Sequence, residues 1–448
     1  SIRISDGGRY IHQTAAGHAA NIQRLSSAPG TEKGVMEFDS PDLSTTLSLS
    51  GRIYGKLALK ADAAGGALNY TAAGTNRLTI GSDLEIGVGV TLSLNFGDTI
   101  FIARDLIQHG GIFNLGNAAR NAVVSVGGDL LQMPGSVMTE TGAGEPVILL
   151  AGKQEQKINM QGIVLNNISF VMNGAGAILQ HPLSLPYRLE LIKGRITTSE
   201  NSLLTLLPAC TLKADSLSAN SFINGPLKKQ GLVAETFLFP VGINQAMRWL
   251  SLKNASGSFT VTYRRSDPRA LSAQAGEGLD HISSLEYWSI TADHDTPAEA
   301  AVELSFDDPN SGGVTSLQDL RAARLLNGTW TNAGNAAVTG SPGANGSVTS
   351  LPITGFIPGE NYFTLGSAVA NENALPLPDN RYWRRKAFSE QVAEEVEKRS
   401  PPVSLAATIV QQRLEMEIIA AEKMPVRATV YNMQGAALKT YHTVARKG

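Results

Sequence analysis

The chain has 448 residues, enough for two to four domains with real cores, yet only 17% of them are charged and the formal net charge is −2. That balance leaves no electrostatic footprint for nucleic acid and no polybasic patch for a membrane surface. No stretch approaches the ~20 consecutive apolar residues of a membrane span. The 45 glycines suit many tight turns, and aromatics, at 6%, are few for an enzyme with a deep pocket.

From Ser1 to about Asn224 the sequence is a succession of short strand-turn units. The chain opens directly on a strand-like SIRIS, so Ser1 is expected to be a processed or truncated start. Alternation of apolar and polar residues is visible in Leu78-Thr79-Ile80, Leu92-Ser93-Leu94, Val124-Ser125-Val126 and Leu189-Glu190-Leu191. Period-two alternation broken by Gly, Asn and Asp reads as strands with one buried face. The pairs Asp83-Leu84, Asp105-Leu106 and Asp129-Leu130 return at intervals of 22 and 24 residues. A repeat of that length built from short strands predicts a solenoid whose coils stack equivalent strands and bury a continuous aliphatic column. The prediction is a parallel β-helix over residues 1–224, weakening between Pro146 and Gln161 and resuming near Ile163.

Near Phe222 the strands become longer and carry Phe, Tyr and Trp, as in TFLFPVG, FTVTYRR, LEYWSI, VELSFDD and LNGTWTNAG. This predicts an antiparallel β-sandwich over residues 225–369, with Trp249, Trp288 and Trp330 as core anchors. A linker follows over 370–402, with a possible short helix from Lys386 to Lys398 in its charge-dense part. Strand-like segments return over 403–448 as a partial Ig-like C-terminal β-domain. The expected fold class is therefore all-β throughout.

Chemistry-bearing residues are sparse. Cys210, the only cysteine, lies in the apolar run SLLTLLPACTL and reads as a small core residue. Asp83, Asp105 and Asp129 recur at equivalent positions and resemble a calcium-binding or catalytic row. Each directly precedes an aliphatic strand, where Asp commonly closes a turn through its own side chain, and that is the expected role. His12 and His18, in an apparent polar loop, lack a third ligand at metal spacing. The acidic loop Asp307-Asp308-Pro309-Asn310 supplies calcium candidates in Asp307, Asp308 and Asn310, although its spacing is not that of an EF-hand. No phosphate-cradling loop, dinucleotide fingerprint or nucleophile elbow occurs, so no catalytic, cofactor or metal residue is assigned.

Three stretches carry a resemblance. They are the repeat with its opening DGGRYIHQTAAG; the middle module, with Phe222-Ile223-Asn224-Gly225-Pro226-Leu227-Lys228-Lys229, Phe239-Pro240-Val241-Gly242, Glu286-Tyr287-Trp288 and Gly328-Thr329-Trp330; and the tail Val430-Tyr431-Asn432-Met433-Gln434-Gly435. In that order they resemble the large surface proteins of Bacteroidetes-type bacteria that are exported by type IX secretion, with a C-terminal sorting domain lacking its closing strands. The resemblance implies an extracellular or cell-surface location and a structural, filament or adhesive role. Its partners would be other copies of the chain, cell-surface components or glycans. The triplets Asp98-Thr99-Ile100 and Asp215-Ser216-Leu217 are similar to the O-glycosylation acceptor of these bacteria, making Thr99 and Ser216 glycosylation candidates. The alternatives are a polysaccharide lyase or hydrolase working on the outer face of the β-helix, or a carbohydrate-binding module using Trp288 and Trp330.

Overall fold

The structure, a computed structural model, describes residues 1–14, 18–214, 220–293, 300–308, 311–354, 356, 359–370, 372–375, 403–410, 413–420, 425–431, 437–444 and 446–447. They fall into two compact units, Ser1–Pro376 and Leu377–Gly448. The first unit opens as a parallel β-solenoid of about nine turns. Each turn places one short strand on each of three faces, where strands pair in parallel with their equivalents in neighbouring turns; on the third face this pairing is interrupted between Ile163–Val164 and Leu183–Leu185.

Strict register converts the alternation of the sequence into columns. On the first face Met36, Leu57, Leu84, Leu106, Leu130, Ile158 and Leu179 lie on one another. On a second face Tyr54, Ile80, Ile102, Val126, Leu150 and Met172 do the same. The remaining face stacks Tyr70, Leu92, Phe113, Met138 and Val164. All of these side chains are buried in one cluster. Each contributes roughly 1.5–3 kcal/mol of burial, so the column rather than local propensity holds these three- and four-residue strands in place.

Polar ladders run beside the apolar columns. Gln108 and Gln132 occupy successive inward positions, and Gln132 Nε2 donates to Oε1 of Gln108 at 3.2 Å. Gln108 Nε2 also donates to the carbonyls of Gly111 (3.1 Å) and Val137 (3.0 Å), closing the corner between two faces. Between Pro146 and Gln161, where the repeat weakens in sequence, the coil continues unbroken through strands Val147–Leu150 and Gln156–Met160. The reason is Gln156. It points inward, donates to the carbonyls of Val126 and Gly128, and accepts the Gly152 N–H, while Ile158 keeps the aliphatic position of the repeat beside Leu130.

At the start of the solenoid a short helix, His18–Ile22, packs Ile22 into the core, and Ile2 bridges to Leu25. At the other end the antiparallel module grows out of the last turn. Strand Leu227–Phe239 begins parallel to Leu204–Leu206 and is flanked on its other edge by the antiparallel strand Leu250–Arg264. Meanwhile Val241–Ile243 returns to the first solenoid face, beside Ile223–Asn224. Lys229 fixes this transition: its buried ammonium donates to the carbonyls of Leu207 (2.9 Å), Pro208 (2.7 Å) and Cys210 (3.0 Å).

Leu250–Arg264 is itself shared. Its first residues pair with Ala301–Asp307 and its last with Tyr287–Ala292, so the sheet folds over a core containing Phe259, Trp288, Leu304, Phe306, Val348 and Phe363. Trp330 is also fully buried, in a separate small cluster with Leu279, Ile282 and Ala323. Trp249 departs from the core-anchor expectation, being only half-buried.

In the second unit Val403–Val410 pairs antiparallel with Arg413–Ala420, and Pro425–Tyr431 with Ala437–Val444; Arg446–Lys447 adds in parallel to Arg413–Ala420. Lys386–Lys398 and Asn432–Gly435 lie outside the described residues. Among the described residues no helix is long and apolar enough to cross a membrane.

Cys210 is buried, and burial pushes its thiol up to about 11 from an ordinary value of 9.0. The folded state thus holds the proton longer than the unfolded chain. The stability this contributes is intact below pH ~9 and is lost as pH rises towards ~11. Cys210→Ala should flatten the stability loss over that interval in urea titrations, and the native thiol should resist a disulfide reagent at pH 8.

Candidate functional site

The recurrent aspartates form a row on the outside of the first face, and their work is structural. The Asp105 N–H donates to Oδ1 of Asp83 at 3.3 Å, the Asp129 N–H to Oδ1 of Asp105 at 2.7 Å, and the Lys157 N–H to Oδ1 of Asp129 at 2.8 Å. Each carboxylate therefore staples its own turn to the next one, rather than closing its own turn as the sequence suggested. Parallel stacking is the cause, since it sets every side chain beside the amide of its equivalent one coil on. Gly128 makes room for this, because a Cβ there would lie 2.2 Å from Oδ1 of Asp105. Lys56 lies 3.6 Å from Asp83 and 2.7 Å from Glu85, and Arg104 lies within 4 Å of both Asp83 and Asp105. Among the described residues no group of three His, Cys, Asp or Glu side chains could hold a metal ion.

The acidic loop candidates also diverge. Asp308 Oδ1 accepts the Gly313 N–H at 3.2 Å, whereas Asp307 Oδ2 turns to Arg248 at 3.3 Å. Asn310 and Ser216 lie outside the described residues. Thr99 is half-buried on an outward position at the start of Thr99–Ile102, its N–H donating to Asp98 Oδ1 at 2.6 Å. His12 is buried against Phe38 at the end of strand Arg9–His12 rather than in a polar loop, and His18 opens the short helix.

The most developed site is a cleft of about 320 Å³ in the antiparallel module. Residues 247–249, entering strand Leu250–Arg264, form one wall. The end of Ala301–Asp307 and the hairpin joining Ala337–Gly340 to Asn345–Thr349 form the other. The walls are tied by the Ser305 N–H donating to the Trp249 carbonyl at 3.2 Å. Gly346 lets the hairpin close over the Phe306 ring, whose Cζ would lie 2.5 Å from an added Cβ.

Behind the cleft lies a buried charge network. Arg248 is 1% exposed and Glu286 not at all; Arg248 Nε donates to Glu286 Oε2 at 3.1 Å, and Nη2 to the Asp307 carbonyl at 3.1 Å. Tyr263 donates to the same Glu286 oxygen at 2.7 Å, and Trp288 Nε1 to the Arg248 carbonyl at 2.9 Å. Burial works against the Arg248 charge, but the Glu286 carboxylate, with Tyr263 and Asp307, more than offsets it and raises the guanidinium above its ordinary value. Burial, followed by the negative charge of Glu286, lifts the Tyr263 phenol well above its usual range.

Trp249, on the wall of the cleft, is partly buried, and its indole N–H has no hydrogen-bond partner among the described residues. Trp288 and Trp330, which the carbohydrate-binding alternative took as a platform, are both 0% exposed. Trp330 Nε1 donates to the Ser272 carbonyl at 2.8 Å. Neither ring is available to a ligand.

A second polar group sits on the solenoid's outer surface. Glu145 accepts from the Tyr187 hydroxyl and from Arg188 Nη2 at 3.2 Å. The hydrogen bond to Glu145 raises the Tyr187 phenol above its ordinary value, which keeps it protonated rather than poised as a base.

In comparison with known proteins the chain matches no family model, no curated protein and no solved structure.

Two outcomes test these assignments. Asp105→Ala should lower stability by about 1–2 kcal/mol in denaturant unfolding, while Asp105→Asn, which keeps an acceptor at Oδ1, should lose less than half as much. Arg248→Leu should cost about 3–5 kcal/mol by stranding Glu286, and adding Glu286→Leu should recover part of that loss.

Proposed function

We propose that the chain is a non-enzymatic structural or adhesive element of an extracellular surface or filament, exported by type IX secretion. The observation that carries this reading is the shared strand Leu227–Phe239, which hydrogen-bonds to the last solenoid turns on one edge and to the antiparallel module on the other. Stalk and presenting module are thereby joined by a backbone ladder instead of a flexible linker, an arrangement suited to holding a binding surface at a set distance. The charged row of the first face is spent on stapling turns, which also fits a mechanical role. The cell-surface location and the export route rest on the order of the sequence motifs.

A second reading, a polysaccharide lyase or hydrolase, draws on the Glu145–Tyr187–Arg188 group of the outer face. Incubation with polygalacturonate, alginate, chondroitin sulfate and xylan separates the two. The structural reading expects no new reducing ends and no rise in absorbance from unsaturated products. Turnover that disappears in Glu145→Gln would replace it with the enzymatic one. Immunogold labelling of intact source cells should decorate the surface; label confined to the cell interior would overturn the location.

A further inference from the structure

We infer that the Trp249 cleft binds a single neutral pyranose ring of a glycan. Three observations converge there. First, Trp249 is the exception among the described tryptophans: Trp288 and Trp330 are buried with their N–H groups satisfied, while Trp249 is only partly buried and its N–H has no partner among the described residues. A buried indole N–H is normally paired, and an indole with one apolar face and one free polar edge is suited to a ligand that also has both. A pyranose has both: its C–H face packs on the indole, and its hydroxyls ring the edge.

Second, hydrogen-bonding groups line the same cleft. The backbone of Ser305 lines the cleft, while its hydroxyl is buried behind it. Asp307, whose side chain is 41% exposed, is held at the rim by Arg248, and Asn345 lies exposed beside it on the hairpin. Because Arg248 and Gly346 lock both walls, little ordering is left for binding to supply.

Third, size and charge narrow the ligand. About 320 Å³ lies at the lower end of small-molecule pockets, room for one sugar ring with the rest of the chain outside. One guanidinium, Arg248, faces two carboxylates, Glu286 and Asp307, which leaves an excess of negative charge. Such a site disfavours uronate and sulfated sugars and accepts neutral ones.

The inference rests on the structural reading for one point, that binding is not followed by cleavage. The test is titration of the full chain with the methyl glycosides of glucose, galactose, mannose and N-acetylglucosamine, and with galacturonate, followed by tryptophan fluorescence and ligand-observed NMR. At least one neutral glycoside should bind saturably with a Kd near ~1 mM, typical of a single small ring. Trp249→Ala should weaken it at least tenfold, Trp249→Phe, which keeps a ring, less than tenfold, and galacturonate should bind at least tenfold more weakly. A thermal midpoint within about 2 °C of the parent certifies the variants as folded. If Trp249→Ala fails that check, Trp249→Phe must still shift the Kd and remove the ligand-sensitive indole signal. No saturable binding of any neutral probe, or a Kd unmoved in folded Trp249 variants, overturns the site and leaves the scaffold reading standing. Binding with loss of the methyl group keeps the site and overturns the non-enzymatic reading.

Discussion

One repeated contact underlies the Ser1–Pro376 unit: an inward aliphatic side chain lies on its counterpart in the next coil while the two backbones pair in parallel. Leu106 between Leu84 and Leu130 is the simplest instance. Three- and four-residue strands have no stability of their own, and each becomes stable only as a layer in the stack. A slip of one residue would turn a whole strand inside out. The Asp83–Asp105–Asp129 staples and the Gln108–Gln132 pair add a polar check on register, since each needs its partner in one particular turn.

The turns with the plainest pattern were legible from sequence. Leu84, Leu106 and Leu130 follow the recurrent Asp at a nearly constant interval, and the interval is the coil. What the pattern concealed was polar residues pointing inward. Gln156 stands at the position of Gly128 one turn earlier, and nothing local marks it as inward, because its hydrogen-bond partners, the carbonyls of Val126 and Gly128, belong to that earlier turn. The aspartates bond across turns where the sequence suggests closure of their own turn, because a side chain bonding within its turn and one bonding across turns have the same local sequence.

Tryptophans posed the same difficulty on a larger scale. Trp249, Trp288 and Trp330 all sit in strand-like segments, and nothing adjacent distinguishes the exposed one from the two that are buried. The difference lies in distant partners: Trp288 meets the Arg248 carbonyl and Trp330 the Ser272 carbonyl. Arg248 escaped notice for a related reason, since its carboxylates, Glu286 and Asp307, are 38 and 59 residues away. Charge pairs that close across a sheet leave no spacing to detect, unlike those on a helix.

The shared strand Leu227–Phe239 also determines what happens to the growing edge of the solenoid. A parallel stack ends in a row of open backbone groups, and an open edge templates any strand of matching pattern, including one from another molecule. By continuing into an antiparallel partner, the face that ends in this strand offers its edge only to its own chain. On that face the hairpin acts as a terminator, whereas the second face ends on Thr211–Lys213, paired on one side only. Strand addition is thereby closed on one face of the stack and left to the others, so any end-to-end contact between copies has to use those.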